Sequence, residues 1–388
     1  MSKLTCTAEK VTADDAIAAL AADWDRLSRL RDVPNPFTTF DWYRAWQRRF
    51  ALLEPAGRRS AHVVVLRKDG AISGIAPLVR TIASSRTLWM RRLQFMSDSH
   101  EWDYNDLLVG ESAEEAATAL FEFLKETGGE WDVTDLRNLR DRDGSLEQLL
   151  AALLRVGLPY RLLREEERCP YMIVDGPWEE LLSRKSSSTR HSIRNRQSRL
   201  QRMAGDQLRM RIVENPQDEP GLLEKMTALG AQAHEGEQAE PFLSRHPEAF
   251  SAIFETLGPK QWMCVALLEV GERLLAWHLL FRCGKALWGY LTAYDHEYAQ
   301  FSPGKMLLPA IVDYAFAHGY TEYDFLSGEE PYKMQWNTGF HHTYRLVVWN
   351  RRWLSRLRAA AYLRFRVAKV EADTHEPQSE PVEEVMAS

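Results

Sequence analysis

The hydrophobic positions in the first half of the chain follow two different periods, which predict a mixture of helices and strands. Apolar residues recur at helical spacing over 13–30 and again over 39–50, where Thr39 is a suitable N-cap. The stretch 62–80 instead has the pattern of two strands joined by a Lys-Asp-Gly turn. The other elements predicted in this half are a strand at 86–96, a helix at 111–129, a strand at 131–139, a helix at 144–157 and a strand at 159–165.

The second half predicts the same kinds of element in a similar order. A basic helix at 186–203 precedes a strand at 208–214 and a helix near 216–234. Three strands with short turns between them then indicate an antiparallel meander at 262–270, 274–283 and 286–294. The closing elements are a turn and helix at about 304–318, a strand at 320–326, a strand at 343–350 and a helix near 352–369.

Both halves therefore run from a hairpin through a further strand and a helix to a strand with an internal acid, WDVTDLRNL in one and YTEYDFLSG in the other. This repeat of element order predicts an α/β (α+β) fold with two tandem domains, each with a mixed, largely antiparallel sheet flanked by helices. The predicted parts are an N-terminal domain at 1–165, a C-terminal domain at 166–350, a helix at 351–370 that can pack back on the first half, and a tail at 371–388.

Composition and charge fit two globular domains followed by a different kind of segment. The 388 residues are 45% hydrophobic, which is enough material for two cores. The stretch 371–388 holds 6 of the 55 acidic residues and no Lys or Arg, which leaves 49 acids against 49 bases elsewhere. We expect the acidic tail to be disordered, and the neutral remainder does not indicate general nucleic-acid binding.

The cysteines and the apolar segments favour a cytoplasmic protein. The 4 cysteines are scattered without a C-x-x-C pair, so the sequence predicts neither a disulfide framework nor a zinc knuckle. The N-terminal segment has acids among its apolar residues and is not expected to be a signal peptide. No apolar run approaches the roughly 20 residues that a membrane helix needs.

The turn before the helix at 304–318 has the features of an anion site. Pro303 favours the start of a helix, and Gly304 has no Cβ, so a ligand can approach the backbone closely. The N–H groups of Gly304, Lys305, Met306 and Leu307 are expected to be unpaired donors at the positive end of the helix dipole. Phosphates bind at such ends. The alternative is a capped core helix with a tight entry turn.

The residues around this turn resemble the C-terminal half of the GNAT acyltransferase superfamily, and more closely its FemAB-like branch, known as BcsL/CelD or BioF2-like acetyltransferases. The resemblance covers roughly residues 35–350, and it also includes the opening NPFTTFDWYRAWQRRF and the Arg-rich SSSTRHSIRNRQSRLQR. The sequence departs from the usual GNAT loop, since only Gln300 and Gly304 match it and Met306 stands at its last small position. The other matching residues are Tyr294-Asp295, Ser302-Pro303, Gly319, Tyr323-Asp324-Phe325, Gly328, Tyr332-Lys333 and Trp336.

The resemblance implies acyl-CoA, most simply acetyl-CoA, as co-substrate. Its pyrophosphate would bind the start of the helix, and its pantetheine arm would pair with the preceding strand. The implied cofactor-binding residues are Leu291, Thr292, Ala293, Gln300, Ser302, Gly304, Lys305 and Met306.

The resemblance also implies direct attack of an amine on the thioester, which needs a proton acceptor, a donor for the carbonyl oxygen and a proton for the thiolate. Asp324 and Glu329 are the candidate bases, and Tyr294 and Tyr332 are candidate acids or oxyanion donors. Each has a structural alternative. Asp324 can cap the turn at Gly328, Glu329 can be a solvated turn acid, and the tyrosines can be half-buried sheet residues.

Six further residues are candidates for binding the substrate. The segment 184–202 holds seven Lys or Arg and no acid, which indicates either an anion site or a solvated basic face. The loop 100–106 gathers acids and a histidine, but their spacing fits no familiar metal site, and no metal is predicted. The six candidates are His278, Lys333, Arg190, Arg194, Asp103 and Trp336.

The sequence thus predicts an N-acyltransferase that moves an acyl group, most simply acetyl, from acyl-CoA to an amine. The resemblance suggests a small-molecule or glycan acceptor, such as an amino sugar of exopolysaccharide or cell-envelope synthesis. Two alternatives stay open: a Fem-type aminoacyl transferase that uses charged tRNA, and a catalytically silent GNAT fold that binds a partner. The sequence contains no counterpart of the long helical insertion of Fem enzymes, which weakens the tRNA alternative.

Overall fold

The computed structural model describes residues 6–30, 35–53, 58–85, 88–96, 104–141, 144–165, 168–232 and 247–364. The chain divides into two compact units. The first unit takes Met1–Asp32, Phe37–Glu167 and His342–Ser388, and the second takes Val33–Pro36 and Arg168–His341. The predicted acidic tail lies outside the described residues.

The described elements are strands and helices in alternating groups. The strands are β1 (Cys6–Val11), β2 (Arg59–Lys68), β3 (Ala71–Ser85), β4 (Leu88–Phe95), β5 (Leu108–Val109), β6 (Val133–Arg140), β7 (Tyr160–Arg164), β8 (Cys169–Ile173), β9 (Leu208–Val213), β10 (Met263–Val270), β11 (Arg273–Cys283), β12 (Ala286–Tyr294), β13 (Glu322–Asp324), β14 (Gly339–His341) and β15 (Thr343–Trp349). The helices are α1 (Asp14–Ala18), α2 (Ala21–Arg29), α3 (Phe40–Leu53), α4 (Ala113–Glu126), α5 (Leu146–Val156), α6 (Trp178–Ser183), α7 (Ser187–Ala204), α8 (Leu222–Gln232), α9 (Pro247–Leu257), α10 (Pro303–Met306), α11 (Leu308–Ala317), α12 (Pro331–Trp336) and α13 (Trp353–Tyr362).

The first unit is built on one mixed sheet in the order β1-β2-β3-β4-β6-β15-β7, with β5 paired to β3. The predicted hairpin forms because Asp69 and Gly70 both adopt positive φ, 53° and 83°, which suits a two-residue turn between twisted strands. Strands β4 and β6 are parallel, and helix α4 connects them. The buried face of α4 packs with α5 over this sheet in a core that includes Leu120, Phe121 and Leu149.

The second unit repeats this plan in a sheet of order β14-β8-β13-β12-β11-β10-β9. Strands β10, β11 and β12 form the predicted antiparallel meander. Strand β12 then pairs in parallel with β13, just as β4 pairs with β6 in the first unit. The predicted fold class is confirmed: the chain forms two tandem units, each with a mixed, largely antiparallel sheet flanked by helices.

One strand joins a different sheet from the one that the sequence predicts. The sequence places 343–350 in the C-terminal domain, but β15 lies between β6 and β7 of the first sheet. Its consecutive residues Leu346, Val347 and Val348 are all fully buried, as expected for a central strand covered on both faces. The chain therefore belongs to the first unit again from His342 onward, and helix α13 packs on strands of the first sheet.

The sequence also missed short elements, among them β1 and β8. Strand β8 pairs with both β13 and β14, so it completes the second sheet from a position far away along the chain. In the described part of the chain, no helix is long and apolar enough to cross a membrane.

Candidate active site

The candidate site begins where β12 and β13 separate. The two strands pair in parallel only from Ala286 to Trp288, after which β12 continues along β11 as far as Tyr294. The register between β11 and β12 shifts beside Gly289, so the strand bends at this point. The continuation of β12 includes Leu291, Thr292 and Ala293, the residues predicted to pair with a pantetheine arm.

The turn at Ser302 brings several predicted residues to this strand. Ser302 has the left-handed conformation, with φ 54° and ψ 56°, and Pro303 opens helix α10 directly after it. A Cβ placed on Gly304 would lie 3.9 Å from both Thr292 Oγ1 and Tyr294 Cδ1. The turn, Thr292 and Tyr294 are therefore neighbours, as the predicted cofactor site requires.

Three N–H groups in the first turn of this helix form hydrogen bonds, whereas the sequence predicts that they are unpaired. The N–H of Lys305 donates to the Ser302 carbonyl at 3.0 Å, and that of Met306 donates to the same oxygen at 3.3 Å. The N–H of Leu307 donates to the Gly304 carbonyl at 3.4 Å. The prediction of unpaired donors is wrong for these three residues, because the turn closes on itself with short-range bonds.

The predicted helix at 304–318 is also divided in two. Helix α10 ends at Met306 and α11 begins at Leu308. Pro309 has no N–H to donate to the preceding turn, so a continuous helix would lack one of its bonds here.

Beside the turn, a cavity of about 30 Å³ enters the second unit. Five of its lining residues come from helices α10 and α11, and the others come from the sheet and from helices α6, α7 and α12. A space of this size holds about one or two water molecules, so the enclosed end suits a small group rather than a long chain. The lining residues are Trp178, Ile193, Arg196, His278, Gly304, Lys305, Met306, Leu308, Ile311, Tyr323, Tyr332, Gln335 and Trp336.

The polar groups deepest in this cavity are His278 and Tyr323. The Tyr323 hydroxyl lies 3.4 Å from each ring nitrogen of His278, and both side chains are buried. A Cβ on Gly289 would lie only 2.4 Å from the Tyr323 hydroxyl and 3.0 Å from His278 Nε2, so glycine makes room for this pair. The sequence predicted His278 as a substrate-binding residue, whereas Tyr323 was among the residues that match the family but was not predicted as a site residue.

Burial fixes the protonation states of the two groups. Desolvation, with a smaller effect of the nearby Lys333 ammonium, lowers the pKa of His278 to about 3. Desolvation also raises the pKa of Tyr323 well above its usual value. The cavity therefore contains a neutral imidazole and a protonated phenol at any physiological pH.

Asp324, the first candidate base, is not brought together with this pair. Neighbouring residues of a strand point to opposite faces, so Asp324 points away from the cavity that Tyr323 lines. It is fully buried, its Oδ1 accepts a hydrogen bond from the Leu326 N–H at 2.8 Å, and its Oδ2 lies 3.9 Å from His341 Nε2. Leu326 has a positive φ of 59°, so this carboxylate holds the turn after the strand.

The other two charged candidates after β13 also have partners. Glu329 accepts two hydrogen bonds from Arg168, at 2.6 and 2.8 Å, and these lower the pKa of its carboxyl. The buried Lys333 ammonium donates to the Ser327 carbonyl at 2.5 Å and lies 3.0 Å from Glu330 Oε2. Neither Glu329 nor its turn contributes to the cavity lining, and Lys333 acts on the cavity through its charge.

Of the aromatic candidates, Tyr332 and Trp336 line the cavity while Tyr294 lies beside the turn. Trp336 is 4% exposed and packs on Trp178 with ring centroids 4.5 Å apart, so it forms a wall. Gln300 is exposed in the preceding short helix, and Asp103 lies outside the described residues.

The two arginines of helix α7 that were predicted to bind substrate bind other protein groups instead. A third arginine of this helix lines the cavity. Arg190 donates to the backbone carbonyls of Ser183 and Lys185, and Arg194 pairs with Glu179 at 3.2 Å on the surface. Arg196 lines the cavity instead.

The helical period of α7 explains why Arg196 is the arginine in the cavity. Ile193 and Leu200 are the buried residues on this part of the helix, and Arg196 lies three residues after one and four before the other. This spacing was the available signal in the sequence.

Arg196 and Lys305 form a cationic pair at the cavity. Burial and the nearby Arg196 guanidinium lower the pKa of Lys305. Within the described ranges, neither side chain forms an ion pair with an acid. Two like charges without a counter-ion favour an anionic ligand at this position.

Comparisons with known proteins define the class to which this site belongs. Residues 187–334, from helix α7 to helix α12, match the family model described as an acetyltransferase (GNAT) domain. This part of the second unit is therefore similar to GNAT-type acetyltransferase domains. No curated protein matches the chain.

Two solved structures show the same fold over nearly the whole chain. The crystal structure of FemX superposes with a TM-score of 0.58 at 13% identity and covers 87% of this chain and 96% of its own. A conserved protein of unknown function from Bacteroides thetaiotaomicron VPI-5482 has a TM-score of 0.55 at 10% identity and covers 84% and 97%. At such identities these similarities concern the fold alone, and the BcsL/CelD branch stays a prediction.

Proposed function

We propose that this protein transfers an acyl group, most simply acetyl, from acyl-CoA to an amine at the cavity of the second unit. The observation that carries the proposal is the pair Arg196 and Lys305, which lacks a counter-ion among the described residues and lies beside Gly304. A CoA thioester has a phosphate-rich end that matches this charge.

The proposed binding mode uses the separated strands. The phosphates contact Lys305 and Arg196, the backbone of Gly304 allows their close approach, and the pantetheine follows Leu291–Ala293. The acyl group then enters the cavity toward Tyr323. The small volume of the enclosed end supports a short acyl group.

The proposed chemistry is direct transfer. The neutral amine attacks the thioester carbonyl, a C–N bond forms, the C–S bond breaks, and the amine proton passes to solvent. The protonated phenol of Tyr323 donates a hydrogen bond to the carbonyl oxygen, and the leaving thiolate takes a proton from solvent. With a pKa of about 3, His278 is a weak base, so its role is to accept a hydrogen bond and orient Tyr323 or the amine.

The acceptor belongs to the same proposal. An amino sugar of exopolysaccharide or cell-envelope synthesis is suggested by the resemblance to BcsL/CelD-type proteins. Screening amino sugars against simple amines, with acetyl-CoA as donor, tests that suggestion.

Calorimetric titration with acetyl-CoA tests the cofactor site. Because each cation contacts a phosphate in this account, Lys305→Glu and Arg196→Glu should each weaken binding about tenfold or more. Arg202→Glu is the matched control, since Arg202 is exposed on the same helix α7 outside the cavity lining. Equal weakening by all three variants, or no binding to the wild-type protein, would contradict the proposal.

Fem-type aminoacyl transfer from charged tRNA is the second candidate function. The fold similarity to FemX and the absence of acids in helix α7 favour it. It predicts strongly salt-dependent binding of charged tRNA that Arg199→Glu and Arg202→Glu both weaken. Acetyl-CoA binding that responds only to the cavity variants would decide against it.

A further inference from the structure

Helix α13 of the first unit exposes its large apolar residues to solvent. A helix that only packs on its own sheet would bury them. Its buried positions are Ser355, Ala359 and Tyr362, two of which are small. Trp353 is 73% exposed, Leu357 is 58% exposed, and Leu354 is 41% exposed. We call these three residues the outer face of α13. An amphipathic surface helix normally buries such residues, so an exposed group of them indicates a binding surface.

The charged residues of helix α13 and of the segment that leads into it have a single sign. Residues 351–364 contain no Asp or Glu. Arg351, Arg352 and Arg356 are exposed, and in the part of the chain that the structure describes none of them forms an ion pair. The one paired arginine of the helix, Arg358, is held by Asp132 at 2.9 Å. The outer face thus combines exposed apolar side chains with a rim of uncompensated positive charge.

A groove adjoins this rim and extends the surface. It has a volume of about 710 Å³, and Arg351 and Arg356 line it together with Leu153, Leu154 and Leu158. Leu154 is 65% exposed, so helix α5 adds a further apolar residue. The Arg351 side chain donates to the Gly157 carbonyl at 3.0 Å, which fixes the guanidinium at the edge of the groove.

We propose that the outer face of α13 docks on an anionic membrane surface. A helix with Trp and Leu on one face and arginines beside them lies in the headgroup region, where the apolar residues enter the acyl boundary and the guanidiniums contact lipid phosphates. A second copy of the chain fits less well, because pairing two identical faces places arginines against arginines. The proposal is independent of the acyl-transfer proposal, since it concerns the other unit.

Vesicle sedimentation with the full-length protein tests the docking. The probes are vesicles of phosphatidylcholine alone and of phosphatidylcholine with phosphatidylglycerol, each at low salt and at about 0.5 M salt, where the charge contribution is screened. We expect binding to the anionic vesicles at low salt, and much weaker binding to the neutral vesicles or at high salt. The double substitution Trp353→Ser with Leu357→Ser should lower the partition coefficient between vesicles and water about tenfold or more, because it removes two apolar side chains that enter the bilayer.

The control is Phe316→Ser, which removes an aromatic residue that is 46% exposed in the second unit. It should leave vesicle binding unchanged. Binding that Phe316→Ser lowers as much as the α13 variant, or that is equal on neutral vesicles, overturns the proposal. So does a failure to bind anionic vesicles at low salt. That last outcome would favour a different occupant of the outer face, the acidic segment 371–388 of the chain itself.

Discussion

At the scale of single residues, the site depends on how the side chains of strand β13 alternate between the two faces of the sheet. Tyr323 and Asp324 are adjacent in the sequence, and the resemblance predicts Asp324 as a candidate base at the end of the strand. In the strand the two side chains point to opposite faces, and the tyrosine meets His278 while the acid holds the following turn. The sequence contained both residues but did not determine which of them faces the cavity.

Replacing Tyr323 by Phe tests its proposed role as hydrogen-bond donor to the carbonyl oxygen. The substitution removes one hydroxyl and keeps the ring, so we expect kcat to fall about 100-fold or more while KM for acetyl-CoA stays within about threefold. Steady-state kinetics with the best acceptor from the amine screen measures this split.

The matched control is Tyr298→Phe, since Tyr298 is a half-buried tyrosine of the same unit outside the cavity lining. It should retain wild-type kcat. Wild-type turnover by Tyr323→Phe would remove this residue from the mechanism.

At the scale of elements, helix α13 is attached to its sheet by a buried carboxylate. Asp132 accepts hydrogen bonds from Ser355 at 2.7 Å and Arg358 at 2.9 Å, and Arg91 donates to both of its carboxylate oxygens. Burial by itself would raise the pKa of Asp132, but the hydrogen bonds from Arg91, Ser355 and Arg358 lower it to about 2.

This carboxylate predicts a pH dependence of stability. The folded-state pKa of Asp132 lies below the unfolded value of about 3.9, so its contribution is complete above pH 4 and is lost as the pH falls from about 4 to about 2. Asp132→Asn should therefore lower the free energy of unfolding by about 2 kcal/mol at pH 7 and by much less near pH 2. Urea denaturation across this pH range measures the difference.

Asp23→Asn serves as the control, because Asp23 forms only an exposed pair with Arg26. Its effect should stay below about 0.5 kcal/mol at every pH. An Asp132→Asn effect that does not change with pH would mean that the carboxylate is not what attaches the helix.

Local patterns also explain which elements the sequence could predict. The hairpin with Asp69 and Gly70, the meander β10–β12 and helix α7 follow from turn residues and periodicity within a few dozen residues. The continuous apolar spacing over 304–318 predicts one helix, whereas Pro309 favours the break between α10 and α11 that the structure shows.

At the scale of the whole molecule, the repeat of element order was sufficient to predict two tandem domains, each with a mixed, largely antiparallel sheet. The final strand could not be placed, because the apolar run of β15 suits any central strand and its partners β6 and β7 are about 200 residues away. The same limit applies to β8, which closes the second sheet. Pairings over such distances are decided by the assembled core rather than by local pattern.

The candidate site was predictable to a similar extent. The turn at Gly304, its neighbour Thr292 and the cavity residue His278 were named from the sequence. Neither Tyr323 nor Arg196 was predicted as a site residue, since this required knowing which side chains of the strand and of the helix face the cavity. In a site built from several elements, the lining residues are determined by which face of each strand or helix points to the site, more than by residue type.

The central claim is that the turn at Gly304 and its two cations bind an acyl-CoA, and a crystal structure with bound CoA tests it most directly. The account predicts phosphate oxygens within hydrogen-bonding distance of Lys305 and Arg196, the pantetheine along Leu291–Ala293, and the thiol directed at Tyr323. CoA bound elsewhere on the chain, or a complex in which neither cation contacts a phosphate, would contradict it.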